Sequence, residues 1–268
     1  MFTLNVNPEL CSVYGPFSIH AYGVFMALGV LVFLLLSWSH PLRKKWLSST
    51  RYEHLMVGTM VSCLAGARTL HLISEWHTYD TLVDALSIWN GGLSILGAVV
   101  GGLVFVPLFL WYNRIPLLPV LDLGALYLPL TQAIARLGCL FAGCCFGSIT
   151  HSWCAIIYTH VASHAPLGVP LYPTQLLSSL SYLAIFMVLQ LFYFTKHPRA
   201  GTISGLYLIL LSIERFVIDF YRGDRIIDTG HALVYSSWLS MHQWISLGVA
   251  VLGIGLLLYA IQKKDTRY

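Results

Sequence analysis

The sequence predicts an all-α integral membrane protein, a bundle of about seven transmembrane helices with a small extracytoplasmic cap. Composition is the first reason: 57% of the 268 residues are hydrophobic and only 10% are charged, with a mean hydropathy of +0.73. Soluble domains carry about 25% charged residues, so this chain falls in the membrane class. The second reason is a series of apolar segments, each near the roughly 20 residues that a spanning helix needs. We expect residues 1–268 to form a single transmembrane domain.

Seven apolar segments meet this length requirement. They run approximately over residues 18–38, 54–74, 92–112, 117–137, 174–195, 202–221 and 242–262. The fourth segment is the least regular, because it contains Pro119, Asp122 and Pro129. Proline is tolerated in a membrane helix where neighbouring groups satisfy the freed backbone groups, so we expect this segment to be kinked or partly re-entrant.

The basic residues predict the orientation of the chain. With seven spans, ten of the fifteen lysines and arginines fall on one side: Arg43, Lys44, Lys45, Arg51, Arg114, Lys196, Arg199, Lys263, Lys264 and Arg267. On the other side are Arg222 and Arg225. Because cytoplasmic loops carry the excess of basic residues, we predict a multi-pass protein with its N-terminus outside and its C-terminus in the cytoplasm.

The loop over residues 138–173 is too long to be a simple connector between helices. Loops beyond about 12–15 residues are commonly functional. Within this loop, the apolar stretch Cys154–Tyr158 predicts a short β-strand. We therefore expect the loop to form the small cap on the extracytoplasmic face.

The cysteines and histidines do not predict a metal site. The six cysteines contain neither a CxxC pair nor a zinc-type spacing. The three histidines of the cap loop, His151, His160 and His164, also lack a ligand pattern. The sequence therefore predicts no metal ion and no cofactor. Four cysteines crowd near one membrane face, where an oxidising environment would allow a disulfide among them: Cys139, Cys144, Cys145 and Cys154.

Three arginines, Arg68, Arg136 and Arg215, lie inside apolar segments. A charged side chain at bilayer depth costs about 2.5–3.5 kcal/mol on insertion scales, so each of them needs a partner. The phosphate of an anionic lipid is one such partner. The sequence therefore predicts a protein that acts on phospholipid within the membrane.

The sixth segment places Arg215, Asp219 and Arg222 at spacings i, i+4 and i+7, which predicts that they share one helix face. One interpretation is a buried ion pair between Arg215 and Asp219 that only stabilises the bundle. The other interpretation adds a bound phosphate, since two arginines around one carboxylate leave surplus positive charge.

Arg136 precedes a glycine-rich run, Gly138–Gly147. The three glycines of this run permit a tight turn and a close approach of the backbone to a ligand. This favours a lipid headgroup site, and the alternative is that Arg136 only reaches the membrane interface. The glycines of the third segment, Gly97, Gly101 and Gly102, instead predict close packing between helices.

Several segments, in this order, resemble the phosphatidylglycerol–prolipoprotein diacylglyceryl transferase family. They are His20–Gly23, Gly66–Arg68, Trp89–Ser94, Arg136–Gly147, Tyr172–Leu176, Gly205–Arg222 and Gln243–Ser246. No single segment is decisive, but the ordered set is specific and covers nearly the whole chain. The family usually has His, Asn, Asn, Glu, His and Glu where this chain has Leu96, Cys139, Ala142, Cys144, Tyr172 and Ser178.

This resemblance implies a transfer reaction in the outer leaflet of the bacterial cytoplasmic (inner) membrane. The substrates would be phosphatidylglycerol and the signal peptide of a prolipoprotein, which carries a lipobox cysteine. The cysteine thiolate would attack the glyceryl carbon that bears the phosphate, so that a thioether forms and glycerol phosphate leaves. Nucleic acid has no part in this reaction.

The resemblance also implies roles for individual residues. Arg136 would bind the lipid phosphate, Arg215 the leaving group and the thiolate, and Tyr22 the headgroup. The predicted substrate-binding residues are Arg136, Arg68, Gly147, Asp219, Arg222 and Gln243. Asp219 would orient Arg215, and Arg68 would support the pocket. The base that deprotonates the thiol stays open, because neither His20 nor His242 is singled out.

Two rival functions remain open at this point. An anionic-lipid transporter or flippase would use the arginines as a translocation pathway. An inactive scaffold relative would carry the same charges for structural reasons alone. Mass spectrometry of an acceptor peptide separates the transferase from both, since only the transferase makes a thioether.

Overall fold

The structure, a computed structural model, describes residues 1–14, 17–79, 87, 92–223 and 239–262. It is mostly helical, which confirms the all-α membrane fold. The helices are α1 (Ala21–Ser39), α2 (Pro41–Trp46), α3 (Ser49–Ser74), α4 (Ile95–Tyr112), α5 (Leu117–Ala142), α6 (Thr174–Lys196), α7 (Thr202–Asp219) and α8 (Met241–Gln262), with a 3₁₀ turn at Trp76–Thr78. The predictions for Trp89–Gly91, Arg225, Lys263, Lys264 and Arg267 fall outside the described residues.

Within the described ranges, six helices are long and apolar enough to cross a membrane: α1, α3, α4, α5, α6 and α8. The segment predicted at 202–221 is the 18-residue helix α7, which carries Glu214, Arg215 and Asp219. The first helix begins at Ala21 rather than at residue 18, because Phe17–His20 forms a strand. The chain is therefore a multi-pass membrane protein with six candidate spans in its described part, and the predicted span at 202–221 is not among them.

Helix α5 is continuous over 26 residues, so the partly re-entrant path expected for it is wrong. Pro119 lies in the first turn, where a helix does not use its backbone N–H groups. Pro129 lies inside the helix, and α5 continues through it. Arg136 lies in the last two turns of this helix. The glycine-rich run begins in the last turns and continues past the end of the helix.

Asp122 on α5 caps the beginning of helix α7. Its carboxylate accepts hydrogen bonds from the backbone N–H of Gly201 at 2.6 Å and of Ser204 at 2.7 Å, and from the Ser204 hydroxyl at 2.5 Å. Gly201, the N-cap residue of α7, offers no side-chain cap of its own. A carboxylate at this position satisfies exposed N–H groups and the positive end of the helix dipole. The completely buried Asp122 therefore joins α5 to α7.

Replacing Asp122 with alanine is expected to lower the free energy of unfolding by about 3 kcal/mol, since hydrogen bonds to charged groups contribute about 1.5–3 kcal/mol each. Thermal unfolding in detergent measures this loss as a lower Tm. The exposed carboxylate of Glu53 provides the control, because Glu53→Ala should leave Tm nearly unchanged. Equal Tm values for the two variants would contradict the capping role.

The predicted cap contains a three-stranded sheet in the order β1 (Phe2–Leu4), β4 (Ile156–Tyr158) and β5 (Pro170–Leu171). Strand β4 confirms the strand predicted within Cys154–Tyr158. Its pairing with β1 is parallel and brings Phe2 opposite Ile156, a contact that the sequence does not predict. Strands β2 (Glu9–Tyr14) and β3 (Phe17–His20) form a separate two-stranded sheet. The cap packs on the apolar cluster of Ile156, Tyr158, Ala165 and Leu171, together with Leu140 and Phe146.

The chain divides into two compact units. The first, called the site unit, comprises residues 1–13, 18–38 and 121–268, and the second comprises residues 14–17 and 39–120. In the site unit, α7 packs along α8 and against α6. A Cβ added to Gly205 of α7 would lie 2.9 Å from the carbonyl oxygen of Gly253 on α8. This close approach holds α7 and α8 in direct contact.

The second unit is built on the contact between α3 and α4. A Cβ added to Gly97 would collide with the carbonyl oxygen of Gly66, and one added to Gly101 would collide with that of Ser62. The Ser62 hydroxyl also donates to the carbonyl oxygen of Gly101 at 2.9 Å. These contacts confirm that the glycines of α4 permit close helix packing.

Candidate functional site

The turn that follows α5 is fixed by its backbone and by two side chains of α6. Gly143 has φ of +73° and Cys145 has φ of +56°, and the second value is uncommon for a residue that carries a Cβ. The Thr174 hydroxyl donates to the carbonyl oxygen of Cys145, and the Gln175 amide donates to that of Cys144, each at 2.9 Å. Both side chains are almost completely buried, so the turn is held rigidly.

The same turn pairs with the end of α7. Gly147 forms an antiparallel bridge with Arg222. The backbone N–H of Ser148 donates to the carbonyl oxygen of Tyr221 at 2.8 Å, and the backbone N–H of Gly223 donates to the carbonyl oxygen of Phe146 at 3.0 Å. Helix α7 ends at Asp219, so the prediction that Arg222 shares a helix face with Arg215 is wrong. Arg222 instead lies beside the glycine-rich turn, because the chain leaves the helix through a turn and then pairs with Gly147.

Three of the predicted arginines come together in the site unit. The Arg215 guanidinium lies within electrostatic range of both Arg222 and Arg136. The Arg136 guanidinium stacks over the ring of Tyr182 at 6.0 Å and interacts electrostatically with the buried carboxylate of Glu214. Like charges that interact in this way repel each other, and an anion bound between them would relieve that repulsion.

Asp219 holds Arg215 within a polar network at the end of α7. An oxygen of the Asp219 carboxylate lies 3.9 Å from Arg215 Nη2 and 3.9 Å from His242 Nδ1. The Ser240 hydroxyl donates to Asp219 at 2.5 Å. Within the described part of the chain, Nη1 of Arg215 is buried without a hydrogen-bond partner. The expected ion pair is therefore present, and it leaves one guanidinium nitrogen available to a ligand.

Gln243 belongs to the frame of this network. Its side-chain oxygen accepts from the backbone N–H of Ser240 at 3.0 Å, and its amide donates to the carbonyl oxygen of Phe216 at 3.3 Å. The residue is completely buried. These contacts connect α8 to α7 and position Ser240 for its bond to Asp219.

Tyr22 lies beside Arg136 because α1 approaches α5 at Gly138. A Cβ added to Gly138 would lie 2.9 Å from the Cβ of Phe25 and 3.2 Å from the Cα of Tyr22. The Tyr22 phenol is within electrostatic range of Arg136 and of the cysteines of the turn. The structure thus places the Tyr22 phenol near one of the predicted arginines, Arg136.

A cavity of about 200 Å³ lies between α6, α7 and α8. Its lining includes Tyr182, Ser212, Arg215, His242 and Ser246. Most of the lining surface is apolar. An apolar cavity that contains one arginine suits a molecule with a hydrocarbon part and an anionic group.

Three cysteine side chains cluster at the turn after α5. The Sγ atoms of Cys139, Cys144 and Cys145 all lie within 4.8 Å of one another. Hydrogen bonds with the other two thiols lower the pKa of the Cys145 thiol, and the positive charges of Arg222 and Arg136 add to this effect. No disulfide is present among the described residues, which include all six cysteines, and the Sγ of Cys154 contacts Ser152 instead of joining the cluster.

Arg68 lies in the second unit, where its guanidinium binds backbone carbonyl groups. It donates to Gly92 at 2.9 Å and to Ser87 at 3.3 Å, and it stacks over the ring of Tyr79 at 5.3 Å. The side chain is only 7% exposed. These contacts give Arg68 a role in holding the connection between α3 and α4.

Replacing Arg68 with alanine is expected to lower the free energy of unfolding by about 2 kcal/mol, because two backbone carbonyl groups lose a charged donor. The Tm of the purified protein in detergent measures the effect. Arg51→Ala, which removes an exposed arginine of the same helix, is the control. An unchanged Tm for Arg68→Ala would contradict the structural role.

Four polar residues of the site have roles that sequence reasoning missed. Glu214 provides a buried negative charge for Arg136, Tyr182 stacks on Arg136, and Thr174 and Gln175 hold the turn. Thr174, Gln175 and Glu214 lie within segments that carry the family resemblance, and that position is the signal that would have found them. Tyr182 gives no comparable signal, since aromatic residues are frequent in apolar helices.

The apolar helices define a multi-pass membrane protein, and the cavity between α6, α7 and α8 is lined by one arginine, Arg215. The model of the family described as prolipoprotein diacylglyceryl transferase matches residues 8–259. The chain is 34% identical over 252 residues to phosphatidylglycerol–prolipoprotein diacylglyceryl transferase 2 of Clostridium perfringens, covering 93% of each chain. It is 31% identical over 268 residues to the phosphatidylglycerol–prolipoprotein diacylglyceryl transferase of Dehalococcoides mccartyi, covering 98% of this chain and 97% of the relative. The chain belongs to the prolipoprotein diacylglyceryl transferase family and is a transferase of lipoprotein biosynthesis.

Proposed function

We propose that this protein transfers the diacylglyceryl group of phosphatidylglycerol to the lipobox cysteine of a prolipoprotein signal peptide. The single observation that carries the proposal for the site is the convergence of Arg136, Arg215 and Arg222. A phosphodiester supplies the negative charge that this arrangement favours. The relatives of Clostridium perfringens and Dehalococcoides mccartyi carry the same two substrates in their names.

In the proposed reaction, the acceptor thiolate attacks the glyceryl carbon that bears the phosphate. The carbon–sulfur bond forms as the carbon–oxygen bond breaks, and glycerol phosphate leaves with the electron pair. The phosphate therefore gains negative charge during the step. Guanidinium groups placed in advance around it stabilise the transition state more than the bound substrate, and this difference lowers the barrier.

The contacts of the site support distinct roles for its residues. Arg136, which Tyr182 and Glu214 hold in place, binds the lipid phosphate. Arg215 stabilises the leaving group, and its buried Nη1 supplies the donor. Asp219 orients Arg215 through their 3.9 Å contact, and Tyr22 contacts the headgroup.

The remaining predicted residues support the site in different ways. Gly147 lets the turn pack closely on Tyr172, because a Cβ added at Gly147 would lie only 2.5 Å from the Cβ of Tyr172. The backbone bridge between Gly147 and Arg222 positions Arg222. Gln243 maintains the Ser240–Asp219 contact. Arg68 stabilises the second unit, so we assign its effect on transfer to folding.

The membrane arrangement completes the proposal. Residues 1–268 act as one transmembrane transferase domain, with residues 138–173 as its extracytoplasmic cap loop. The protein lies in the bacterial cytoplasmic membrane with its N-terminus outside and its C-terminus in the cytoplasm. This orientation places the glycine-rich turn at the outer leaflet, where the lipobox cysteine of an exported protein arrives.

Incubation of the purified protein with phosphatidylglycerol and a lipobox peptide tests the proposed function. Mass spectrometry should detect a peptide that carries one diacylglyceryl group, and a peptide with serine in place of the cysteine should stay unmodified. Lipid movement between leaflets without peptide modification would favour the flippase alternative. An unmodified peptide with no lipid movement would favour the scaffold alternative.

A further inference from the structure

We propose that Cys139, Cys144 and Cys145 bind one zinc ion, whose fourth coordination position takes the sulfur of the acceptor cysteine. The second half of this proposal rests on the proposed transferase function. It replaces the expectation, based on sequence spacing, that the chain binds no metal. The geometry of the three thiols, their surroundings and the chemistry of the acceptor each support it.

The positions of the three sulfur atoms suit a single soft metal ion. Zinc–sulfur bonds are about 2.3 Å long, so two sulfurs in a tetrahedral site lie about 3.8 Å apart. In the structure all three Sγ atoms lie within 4.8 Å of one another, so small side-chain rotations complete the site. The spacing 139, 144 and 145 is not a known zinc pattern, because the last turn of α5 and two left-handed backbone positions create the cluster.

The backbone around the cluster is held by its own conformation and by two side chains of α6. The positive φ values of Gly143 and Cys145 fold the turn back, so that Cys144 and Cys145 approach Cys139. Thr174 and Gln175 then hold the carbonyl groups of Cys145 and Cys144. Uncommon backbone conformations persist where the surrounding structure enforces them, and they concentrate at functional sites. Rigid ligands lose little entropy when a metal binds.

The charges around the cluster match the proposed complex. Three thiolates and one zinc ion carry a net charge of −1, and the thiolate of the acceptor makes it −2. Arg136 and Arg222 both lie within electrostatic range of Cys145. Their positive charges offset the negative charge of the complex, which makes an otherwise costly anion acceptable at a membrane site.

Two of the three cysteines in the cluster are partly exposed. Cys139 is buried, whereas Cys144 and Cys145 are partly exposed. Structural zinc sites have four protein ligands, but catalytic sites have three and keep one position open. An open position beside Arg136 is where the acceptor sulfur must lie if it attacks a lipid bound by that arginine.

Zinc coordination supplies the deprotonation step for which neither the sequence nor the polar network identifies a base. A thiol that coordinates zinc loses its proton, and the sulfur keeps its electron pair. That sulfur then attacks the glyceryl carbon, glycerol phosphate leaves with the electrons of the broken carbon–oxygen bond, and the proton is released to solvent. The product thioether is neutral, so it binds zinc weakly and leaves the site.

Metal content and spectroscopy of the purified full-length protein test the site. We expect about one zinc ion per chain, and replacement by Co²⁺ should produce thiolate-to-metal charge-transfer absorption. Cys145→Ser should lower zinc affinity at least about tenfold, as expected for loss of a metal ligand or its support. Cys154→Ser removes a cysteine of the same loop that lies outside the cluster, so it should retain the metal.

Titration of the unmodified protein with peptide tests the fourth position without a substitution that could disturb folding. A lipobox peptide with its cysteine should shift the charge-transfer band of the Co²⁺ protein, and the serine peptide should not. Removal of zinc by a chelator should abolish transfer, and added zinc should restore it. An unshifted band would overturn the assignment of the fourth position.

The remaining outcomes separate the two proposals. Absence of bound zinc, a bound copper(I) ion, or a disulfide within the cluster would overturn the zinc site, even if transfer is observed. Transfer by zinc-free protein would overturn the role of zinc in activating the thiol. Zinc that binds the peptide thiol, without thioether formation in the presence of phosphatidylglycerol, would support the site and overturn the transferase function.

Discussion

Replacing Arg136 or Arg215 with alanine is expected to lower the rate of diacylglyceryl transfer by about 10²–10³-fold, the usual effect of removing one donor from a charge-stabilising site. In the proposed mechanism Arg136 binds the lipid phosphate and Arg215 stabilises the leaving group, so each variant would lose a different part of the same stabilisation. The measurement is the initial rate at which a lipobox peptide gains the diacylglyceryl group, per mole of folded protein.

Two controls make this result specific. Arg51→Ala removes an exposed arginine of α3 and should leave the rate unchanged. Arg136→Lys keeps the charge but loses the planar, two-pronged donor geometry, so its rate should fall between those of the wild-type protein and Arg136→Ala. If both alanine variants transfer at close to the wild-type rate, the arginines do not stabilise the reaction.

Replacing Asp219 with alanine is expected to lower kcat by about 100-fold, because Arg215 loses the carboxylate that holds it in place. Small displacements of a positioning group cost a factor of this size. We propose Asp219 as a positioning residue, since its contacts include Arg215, His242 and Ser240. The KM for phosphatidylglycerol should change much less than kcat, because the proposed contact of Arg136 with the phosphate is retained.

Asp122→Ala is the matched control for Asp219→Ala, since both residues are buried carboxylates near opposite ends of α7. Asp122→Ala should lower Tm but leave kcat per folded molecule unchanged. Asp219→Ala should lower kcat even at temperatures where the protein remains folded. A kcat for Asp219→Ala equal to that of Asp122→Ala would show that Asp219 serves the fold alone.

The membrane fold was predictable because a lipid bilayer permits few backbone structures. An apolar stretch of about 20 residues has few alternatives to a spanning helix, since every backbone group must be hydrogen-bonded within the bilayer. Helix α5 shows where this reasoning overstated a local signal. Pro119 and Asp122 appeared to disrupt the segment, yet the first turn accommodates Pro119, and the carboxylate of Asp122 caps a different helix.

The pairing of the arginines was predictable, but their geometry was not. Buried charges must find partners, so the Arg215–Asp219 pair followed from the spacing i, i+4. Arg222 does not lie on the helix face that carries Arg215 and Asp219, because α7 ends three residues before it. Its backbone pairs with Gly147 of the glycine-rich turn. Periodicity cannot anticipate a helix end that a distant turn imposes.

The cysteine cluster lies beyond what sequence spacing reveals. Zinc patterns of the CxxC type come from ligands on one tight local turn, whereas Cys139 lies on α5 and Cys144 and Cys145 follow its end. Their proximity depends on the positive φ values of the turn and on two side chains of α6. The resemblance marks positions 139 and 144 as departures from the family pattern, and the structure shows that both departures contribute to one cluster.

The central claim is that the gathered arginines hold a phosphodiester while a sulfur displaces it. Its most direct measurement is the stoichiometry of the products when purified protein reacts with phosphatidylglycerol and a lipobox peptide. One mole of glycerol phosphate should be released for each mole of thioether-linked peptide formed. Release of glycerol phosphate without a thioether, or bound phosphatidylglycerol that gives neither product, would contradict it.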